Sequence, residues 1–440
     1  MAIAVADEIL VGPYVGQKAE GDAIHMTVLD GVDLEALARH VPTPFHAYSA
    51  SAIRARIGAL QDALLGMDAS VCFAVKANSN VAILQLMRDA GFGADIVSAG
   101  ELWRSLRAGI APERIVFSGV GKRDAEIAAA LAAGVARFNV ESEDELRMLQ
   151  RIARERQVVA RAAVRINPDV DAGTHDKIST GRADNKFGVG IDEAHRWFAE
   201  KDALTHVRLD GLHVHIGSQV MSLDPFRAAL GRVAGFWREL ASSGHAIASI
   251  DVGGGLGVCY RLGSDRPVDV HDYVGVIREA LAGFDGHILL EPGRHLVAEA
   301  GVLLTRVVRT KPAGARTFLV VDAAMNDLVR PSLYGAWHDI VPVARRARGA
   351  QARHYDIVGP VCESGDTFAV QRELPECVAG DLLAIRGSGA YGSSMASTYN
   401  SRPLAAEVLL DAGRYAIIRR RQTFEEMVAG EQTAEAWLAA

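Results

Sequence analysis

Lys76 follows the apolar run Val71-Cys72-Phe73-Ala74-Val75 and precedes a helical pattern from Asn80 to Ala90. The run has the length and composition of a buried strand, and Asn78, Ser79 and Asn80 are candidate N-caps for the helix. A lysine at such a junction can lose solvation, drop in pKa and act as an amine nucleophile toward an aldehyde. Three other stretches invite a chemical reading. His213 and His215 lie in Gly211-Leu212-His213-Val214-His215-Ile216-Gly217-Ser218-Gln219, and their alternate spacing puts both on one face of a strand. Asp251-Val252-Gly253-Gly254-Gly255-Leu256-Gly257 is a glycine run whose backbone N–H groups could approach an anion closely. Glu291-Pro292-Gly293-Arg294 adds a carboxylate and a guanidinium. Each has an ordinary reading alone: a lysine that snorkels to solvent, a satisfied core histidine, a structural turn.

The elements that carry these residues follow a rhythm. Strand-like runs at Val71–Ala77, Ala94–Ser98, Ile115–Gly119, Ala136–Val140, Ala162–Asn167, Leu209–Gly217, Ile250–Gly255 and Ile288–Gly293 alternate with helical patterns. The helices fall at Gly100–Ala108, Asp124–Ala133, Ser142–Arg154, Pro225–Ser242 and His271–Ala282, with Ala50–Leu65 before the first strand. Eight such strands with helical crossovers predict an α/β fold, a TIM-like (β/α)8 barrel, with a doubly wound open sheet as the competing architecture. After Gly301 the helical patterns nearly vanish, and short β-rich runs with Gly and Pro turns take over. The N-terminal strands have no partners inside a barrel. The expected organisation is therefore a β-rich domain built from both chain ends (1–45 and 301–440), with the barrel (46–300) inserted between its halves. The polar stretch Asn167 to Phe187 is long for a barrel loop, and follows the fifth strand.

On this frame Lys76, His215, the glycine run and Glu291-Pro292-Gly293-Arg294 all fall at C-terminal strand ends, the face where barrel enzymes place their active sites. A dinucleotide fingerprint is a poor fit, because Val258 takes the last glycine position. A P-loop is absent, since Gly121-Lys122 is followed by Arg123. Barrels often bind phosphate with the loops after strands 7 and 8, which favours a phosphate site here. A phosphate cradle, a strand-end lysine and a carboxylate to protonate a ring nitrogen together suggest pyridoxal phosphate, with His215 flat against the ring.

Composition narrows the class. The 440 residues are 49% apolar, enough for two domains with a sizeable core. Basic and acidic residues number 47 and 54, a net charge of −7, with no long basic run, which argues against nucleic acid. Cys72, Cys259, Cys362 and Cys377 form no C-x-x-C pair and no metal spacing, so no metal is expected, and such usage suits a reducing compartment. The start Met1–Glu8 lacks the features of a signal peptide, and no apolar run approaches the ~20 residues of a membrane span. The expectation is a cytoplasmic protein that does not engage membrane.

The C-terminal region holds a second set of residues: Gly359-Pro360-Val361-Cys362-Glu363-Ser364-Gly365-Asp366, Arg330-Pro331-Ser332-Leu333-Tyr334 and Gly389-Ala390-Tyr391-Gly392. Each could be an ordinary loop. Taken in order with Ala74-Val75-Lys76-Ala77-Asn78, His215-Ile216-Gly217-Ser218-Gln219, the glycine run and Glu291-Pro292-Gly293-Arg294, the first and last of these (Cys362–Asp366 and Gly389–Gly392) resemble the fold-type III pyridoxal-phosphate decarboxylases, most closely the diaminopimelate decarboxylase family. The resemblance runs from about Thr43 to Glu425.

It implies a cofactor-binding set of Lys76, His215, Ser218, Gly253, Gly254, Gly255, Glu291, Gly293, Arg294 and Tyr391. Lys76 would carry the cofactor, His215 stack on its ring, and Glu291 pair with its pyridine nitrogen. Lys76, Cys362 and His215 are the implied catalytic residues, with Cys362 or Lys76 returning a proton to carbon. Arg294, Arg330, Tyr334, Glu363 and Tyr391 would meet the substrate, Arg330 and Tyr334 at a distal carboxylate and Glu363 at an ammonium. The family works as a homodimer with shared active sites, so Cys362 and Glu363 would reach into the partner's site. The implied reaction is decarboxylation of meso-2,6-diaminopimelate to L-lysine. An acid at the ring nitrogen separates this reading from alanine racemase, a relative in fold type that places an arginine there. The alternatives are a related decarboxylase for another amino acid and a non-catalytic homologue.

Overall fold

The computed structural model describes residues 25–173, 175–178, 180–181, 185–344 and 351–434. The expected strands before residue 25, and Thr174, Arg182 and Asp184 of the polar loop, lie outside the described residues. The chain forms two units, residues 50–300 with 389–394, and the flanking segments on either side.

The first unit is a closed barrel of eight parallel strands in chain order: Ala69–Ala74, Gly93–Ile96, Ile115–Phe117, Arg137–Val140, Ala160–Ile166, Val207–Val214, Ser249–Asp251 and His287–Leu290. The eighth pairs with the first through Ile288–Ala69 and Leu290–Val71. Helices cover the outside because the strands are apolar on both faces; Val71, Cys72, Phe73 and Ala74 are all buried. Four of the crossover helices start where the sequence offers a cap. Asn80 accepts from the Ala82 N–H, Ser98 from Glu101, Ser142 from Glu145 and Asp269 from His271. The open-sheet alternative is excluded by closure.

One crossover was not anticipated. Ile191–Ala199 is a helix whose buried face is Ala194, Trp197 and Phe198. Its spacing is helical, but the charged stretch before it masks the start.

The second unit is a β sheet. Phe45–Ser49 lies between Gly301–Ala313, to which it is antiparallel, and Ala406–Asp411, to which it is parallel. The domain boundary therefore falls after Ser49 rather than after residue 45, since these residues complete a sheet made by the C-terminal segment. Gly389–Ser394 groups with the barrel unit instead. Leu303, Val307, Leu319, Val321, Tyr355, Ile357, Leu383 and Ile385 form the core of the sheet. Two of its strands, Ile340–Pro342 and Thr367–Pro375, escaped the sequence reading. The second is broken by Gln371 at φ +49° and by register shifts against Ala352–Val358, so its alternation is irregular.

Candidate active site

Lys76 sits in a single 3-10 turn, Val75–Ala77, immediately after the first barrel strand. The strap Gly389–Ser394 fixes that turn. Asn78 Nδ2 donates to the Gly389 carbonyl (3.1 Å), the Tyr391 N–H to the Ala77 carbonyl (2.8 Å), and Ser394 Oγ to the Lys76 carbonyl (3.1 Å). Lys76 Nζ donates to Asp95 Oδ2 at 2.8 Å. Burial alone would pull the ammonium down, but Asp95, Glu291 and Tyr391 outweigh it and hold the Lys76 pKa above the ordinary lysine range.

Glu291 follows the eighth strand and is buried beneath a polar roof. Its Oε1 accepts from Asn139 Nδ2 (3.1 Å) and Ser118 Oγ (3.3 Å), and its Oε2 lies 3.2 Å from His213 Nε2. Burial, then the Asp95 charge, push the Glu291 carboxyl up to about 8. Asp251 is pushed up to about 7 by burial and by Glu291, and His213 is drawn down to about 4 by burial. The floor of the site thus favours neutral, proton-holding groups that can meet a basic nitrogen.

His215 lies one residue past the sixth strand. Its Nδ1 accepts from the Gly254 N–H (3.1 Å), and burial, then Lys76, keep its pKa well below the usual value. The imidazole is therefore neutral. The polar loop braces this segment: Thr180 Oγ1 donates to the His215 carbonyl (2.9 Å), and the Ser218 N–H to the Ile178 carbonyl (3.1 Å).

The glycines are required by close approach. A Cβ at Gly253 would lie 2.4 Å from the Val214 carbonyl oxygen, at Gly254 2.2 Å from that of Glu291, and at Gly255 2.4 Å from that of Gly217. Arg294 completes this side. Its Nε and Nη2 donate to Ser218 Oγ (3.1 and 3.0 Å), its Nη1 to the Tyr260 hydroxyl (2.5 Å), and its guanidinium stacks 4.7 Å from the Tyr391 ring centre.

One cleft is lined by Lys76, His215, Ser218, Gly253–Gly255, Glu291, Gly293, Arg294 and Tyr391, ten of the residues singled out in the sequence. Its chemistry fits pyridoxal phosphate. The glycine backbone with Ser218 and Arg294 suits the phosphate, the lysine suits the aldehyde, and the raised Glu291 suits the ring nitrogen. Behind Lys76 and Glu291, buried Asp95 Oδ1 and Asn139 Oδ1 have no hydrogen-bond partner among the described residues.

Asp95, Ser118, Asn139 and Tyr260 were not singled out in the sequence. A signal existed for two of them: Asp95 in Gly93-Ala94-Asp95-Ile96 and Asn139 in Arg137-Phe138-Asn139-Val140 are polar residues inside apolar barrel strands.

Cys362, Glu363, Arg330 and Tyr334 belong to the β unit. Cys362 and Glu363 are exposed; the Cys362 N–H donates to Asn400 Oδ1 (3.2 Å), and the Tyr399 hydroxyl hydrogen-bonds Glu363. Arg330 opens the short helix Arg330–Tyr334, is buried, and donates from Nη1 to His338 Nε2 (2.7 Å). His338 Nδ1 lies 2.7 Å from the Arg386 carbonyl, so the ring proton sits on Nδ1.

Residues 50–298 match the family of pyridoxal-dependent decarboxylases, pyridoxal binding domain. The chain is 50% identical to diaminopimelate decarboxylase of Pseudomonas aeruginosa over 402 residues, covering 91% of this chain and 96% of the relative. It is 45% identical to that of Zymomonas mobilis, covering 93% and 97%. The crystal structure of diaminopimelate decarboxylase from Helicobacter pylori complexed with L-lysine superposes with a TM-score of 0.87 at 43% identity, covering 91% of this chain and 99% of that one. This chain belongs to the diaminopimelate decarboxylase family of pyridoxal-phosphate-dependent enzymes.

Proposed function

We propose that this enzyme decarboxylates meso-2,6-diaminopimelate to L-lysine and CO2, the last step of lysine biosynthesis, in the cytoplasm and as a homodimer with shared active sites. The observation that carries the reading is the pairing of Lys76 with a buried, proton-holding Glu291 across one glycine-floored cleft, in a chain of this family. Among the described residues no helix is long and apolar enough to cross a membrane.

Pyridoxal phosphate, when bound, supplies the electron sink that accepts the pair left by the departing carboxylate. Lys76 would hold the cofactor through Nζ, and Asp95, 2.8 Å away, holds a proton on that amine when it is free. Glu291 keeps a proton facing the ring nitrogen, and Asn139, Ser118 and His213 fix its carboxyl. His215 covers the ring face as a neutral imidazole. Gly253–Gly255, Gly293, Ser218 and Arg294 hold the phosphate, and Tyr391 steadies Arg294. Arg330 and Tyr334 receive the distal carboxylate, Glu363 the distal ammonium, and Cys362 returns the proton to carbon from the partner subunit.

The test is turnover by the purified protein with added pyridoxal phosphate, reading lysine and CO2. Lysine should form from meso-diaminopimelate, while ornithine, arginine and lysine should release no CO2. Bound cofactor without diaminopimelate turnover would reject the substrate and keep the cofactor assignment.

A further inference from the structure

The N-terminal end of the barrel, opposite to the strand ends that carry Lys76 and Glu291, holds a second cavity of about 640 Å³. Cys72, Arg114, Arg137, Arg161, His287 and Leu289 are among its lining residues. Arg137 begins the fourth barrel strand and is only 5% exposed, yet its Nε and Nη1 have no hydrogen-bond partner among the described residues. Its guanidinium lies inside the barrel. A Cβ at Gly211 of the sixth strand would come 3.3 Å from Arg137 Nη1 and 3.1 Å from Ser249 Oγ of the seventh. The missing side chain at 211 therefore makes the room that the guanidinium faces. Ser249 Oγ is also buried without a hydrogen-bond partner among the described residues.

The other cations at this end are satisfied. Arg114 Nη1 donates to the Gly91 carbonyl (2.6 Å), Arg161 Nη2 to Asp210 Oδ2 (3.2 Å), and His287 bonds Asp68 and Ser70 (both 2.8 Å). Burial works against the charged form of Arg137, and the carboxyls whose fields favour it are Asp251 and Asp210. Asp210 is already engaged by Arg161 and by Arg208 (2.6 Å). Asp251 receives the Gly253 N–H (2.9 Å), and burial holds it toward its protonated form. A buried guanidinium without a directly bonded anion is costly, and no described residue accepts a hydrogen bond from its Nε or Nη1. The cavity has the size of a small-molecule site.

We propose that the N-terminal mouth of the barrel binds a small oxyanion, the phosphate or carboxylate group of a small molecule, with Arg137 as its receptor and Ser249 Oγ as a second donor. The site is separate from the cofactor cleft and independent of the substrate assignment. It would be tested by calorimetric titration of the holoenzyme, whose phosphate cradle is filled, with inorganic phosphate and with succinate at constant ionic strength. Saturable binding of either anion is expected, weakened roughly tenfold or more in Arg137→Met, as loss of a charge-assisted contact requires. Which anion binds tells phosphate from carboxylate. Gly211→Ala keeps the arginine but fills the space between Nη1 and Ser249 Oγ, so it should weaken binding as well, and it decides the matter if Arg137→Met does not fold. Absence of saturable binding, or affinity unchanged in a folded variant that still holds its cofactor, overturns the proposal.

Discussion

Asp95 Oδ2 stands 2.8 Å from Lys76 Nζ, and this contact governs the charge of the lysine proposed to hold the cofactor. Burial lowers the lysine pKa; Asp95, followed by Glu291 and Tyr391, reverses the sign. The amine must shed a proton before it can attack an aldehyde. In Asp95→Asn burial stays and the main opposing charge goes. The pH midpoint for uptake of pyridoxal phosphate by the apoprotein should move toward acid by on the order of 1–3 pH units. The absorbance of bound cofactor across a pH series reads this directly. An unmoved midpoint would remove Asp95 from control of Lys76.

Asp251 and Glu291 make the cofactor-free protein sensitive to rising pH. Both carboxyls are buried and held up, to about 7 and about 8. The unfolded chain gives up these protons near pH 4 to 4.5, so between roughly pH 4 and 8 the folded state binds more protons and stability falls as pH rises. The expected loss is on the order of a few kcal/mol. Asp251→Asn keeps an acceptor for the Gly253 N–H and removes one of the two charges, so its stability should decline less over that range. Denaturant unfolding of both proteins at several pH values measures the difference, and parallel curves would exclude the coupling.

Two Gly→Ala substitutions should have opposite signs. At Gly254 the new Cβ would meet the Glu291 carbonyl oxygen at 2.2 Å, backbone that cannot give way without moving the acid. The cost should be about 1–3 kcal/mol, with faster cofactor loss on dialysis. At Gly58, inside the helix Ala50–Ala63, a Cβ meets nothing within 4 Å. That change should stabilise by about 0.5–1 kcal/mol through helix propensity. Thermal unfolding and cofactor retention of the pair separate a steric requirement from a general effect of removing glycine.

Why part of the site could be read from sequence follows from the barrel itself. All eight strands are short and largely apolar, and the helices after four of them open on a capping Asn, Ser or Asp, so the sequence alone places Lys76, His215 and Glu291 at strand ends. Closure then brings ends that are distant in sequence into one cleft, and this is what the linear pattern leaves out. Asp95 and Asn139 were missed because a single polar residue in an apolar strand does not say what it faces; only the ring of strands turns them toward Lys76 and Glu291. The irregular strand Thr367–Pro375 failed for a local reason, the positive φ at Gln371. The strand Phe45–Ser49 joins the sheet made from both chain ends, as expected; the linear pattern could not name its partners, which lie more than 250 residues later.

His46 should make the protein acid-labile. It lies fully buried in that same strand, neither ring nitrogen has a hydrogen-bond partner among the described residues, and burial draws its pKa down to about 4. A depressed histidine contributes stability that is complete above its unfolded value near 6.5 and is lost as pH falls through about 4. The loss attributable to this group is on the order of 3 kcal/mol. His46→Leu should leave stability at pH 7 nearly unchanged and shift the acid-unfolding midpoint to lower pH. A midpoint that stays in place would assign acid unfolding to other groups.

Arg330 offers the sharpest test of substrate choice. Its guanidinium is oriented by His338, whose Nδ1–H is committed to the Arg386 carbonyl, so Nε2 can only accept. A planar fork held in this way suits a carboxylate, and a lysine at the same place would present a point charge without the fork. If Arg330 receives the distal carboxylate of diaminopimelate, Arg330→Ala should raise KM roughly 100-fold and change kcat less, because the contact is made in ground state and transition state alike. Arg330→Lys should recover only part of the loss. His338→Leu, which frees the guanidinium to turn, should raise KM by a smaller factor, while bound-cofactor absorbance stays that of the parent in all three. A fall in kcat at unchanged KM would instead place Arg330 at the reacting end, and the distal carboxylate would then need another receptor.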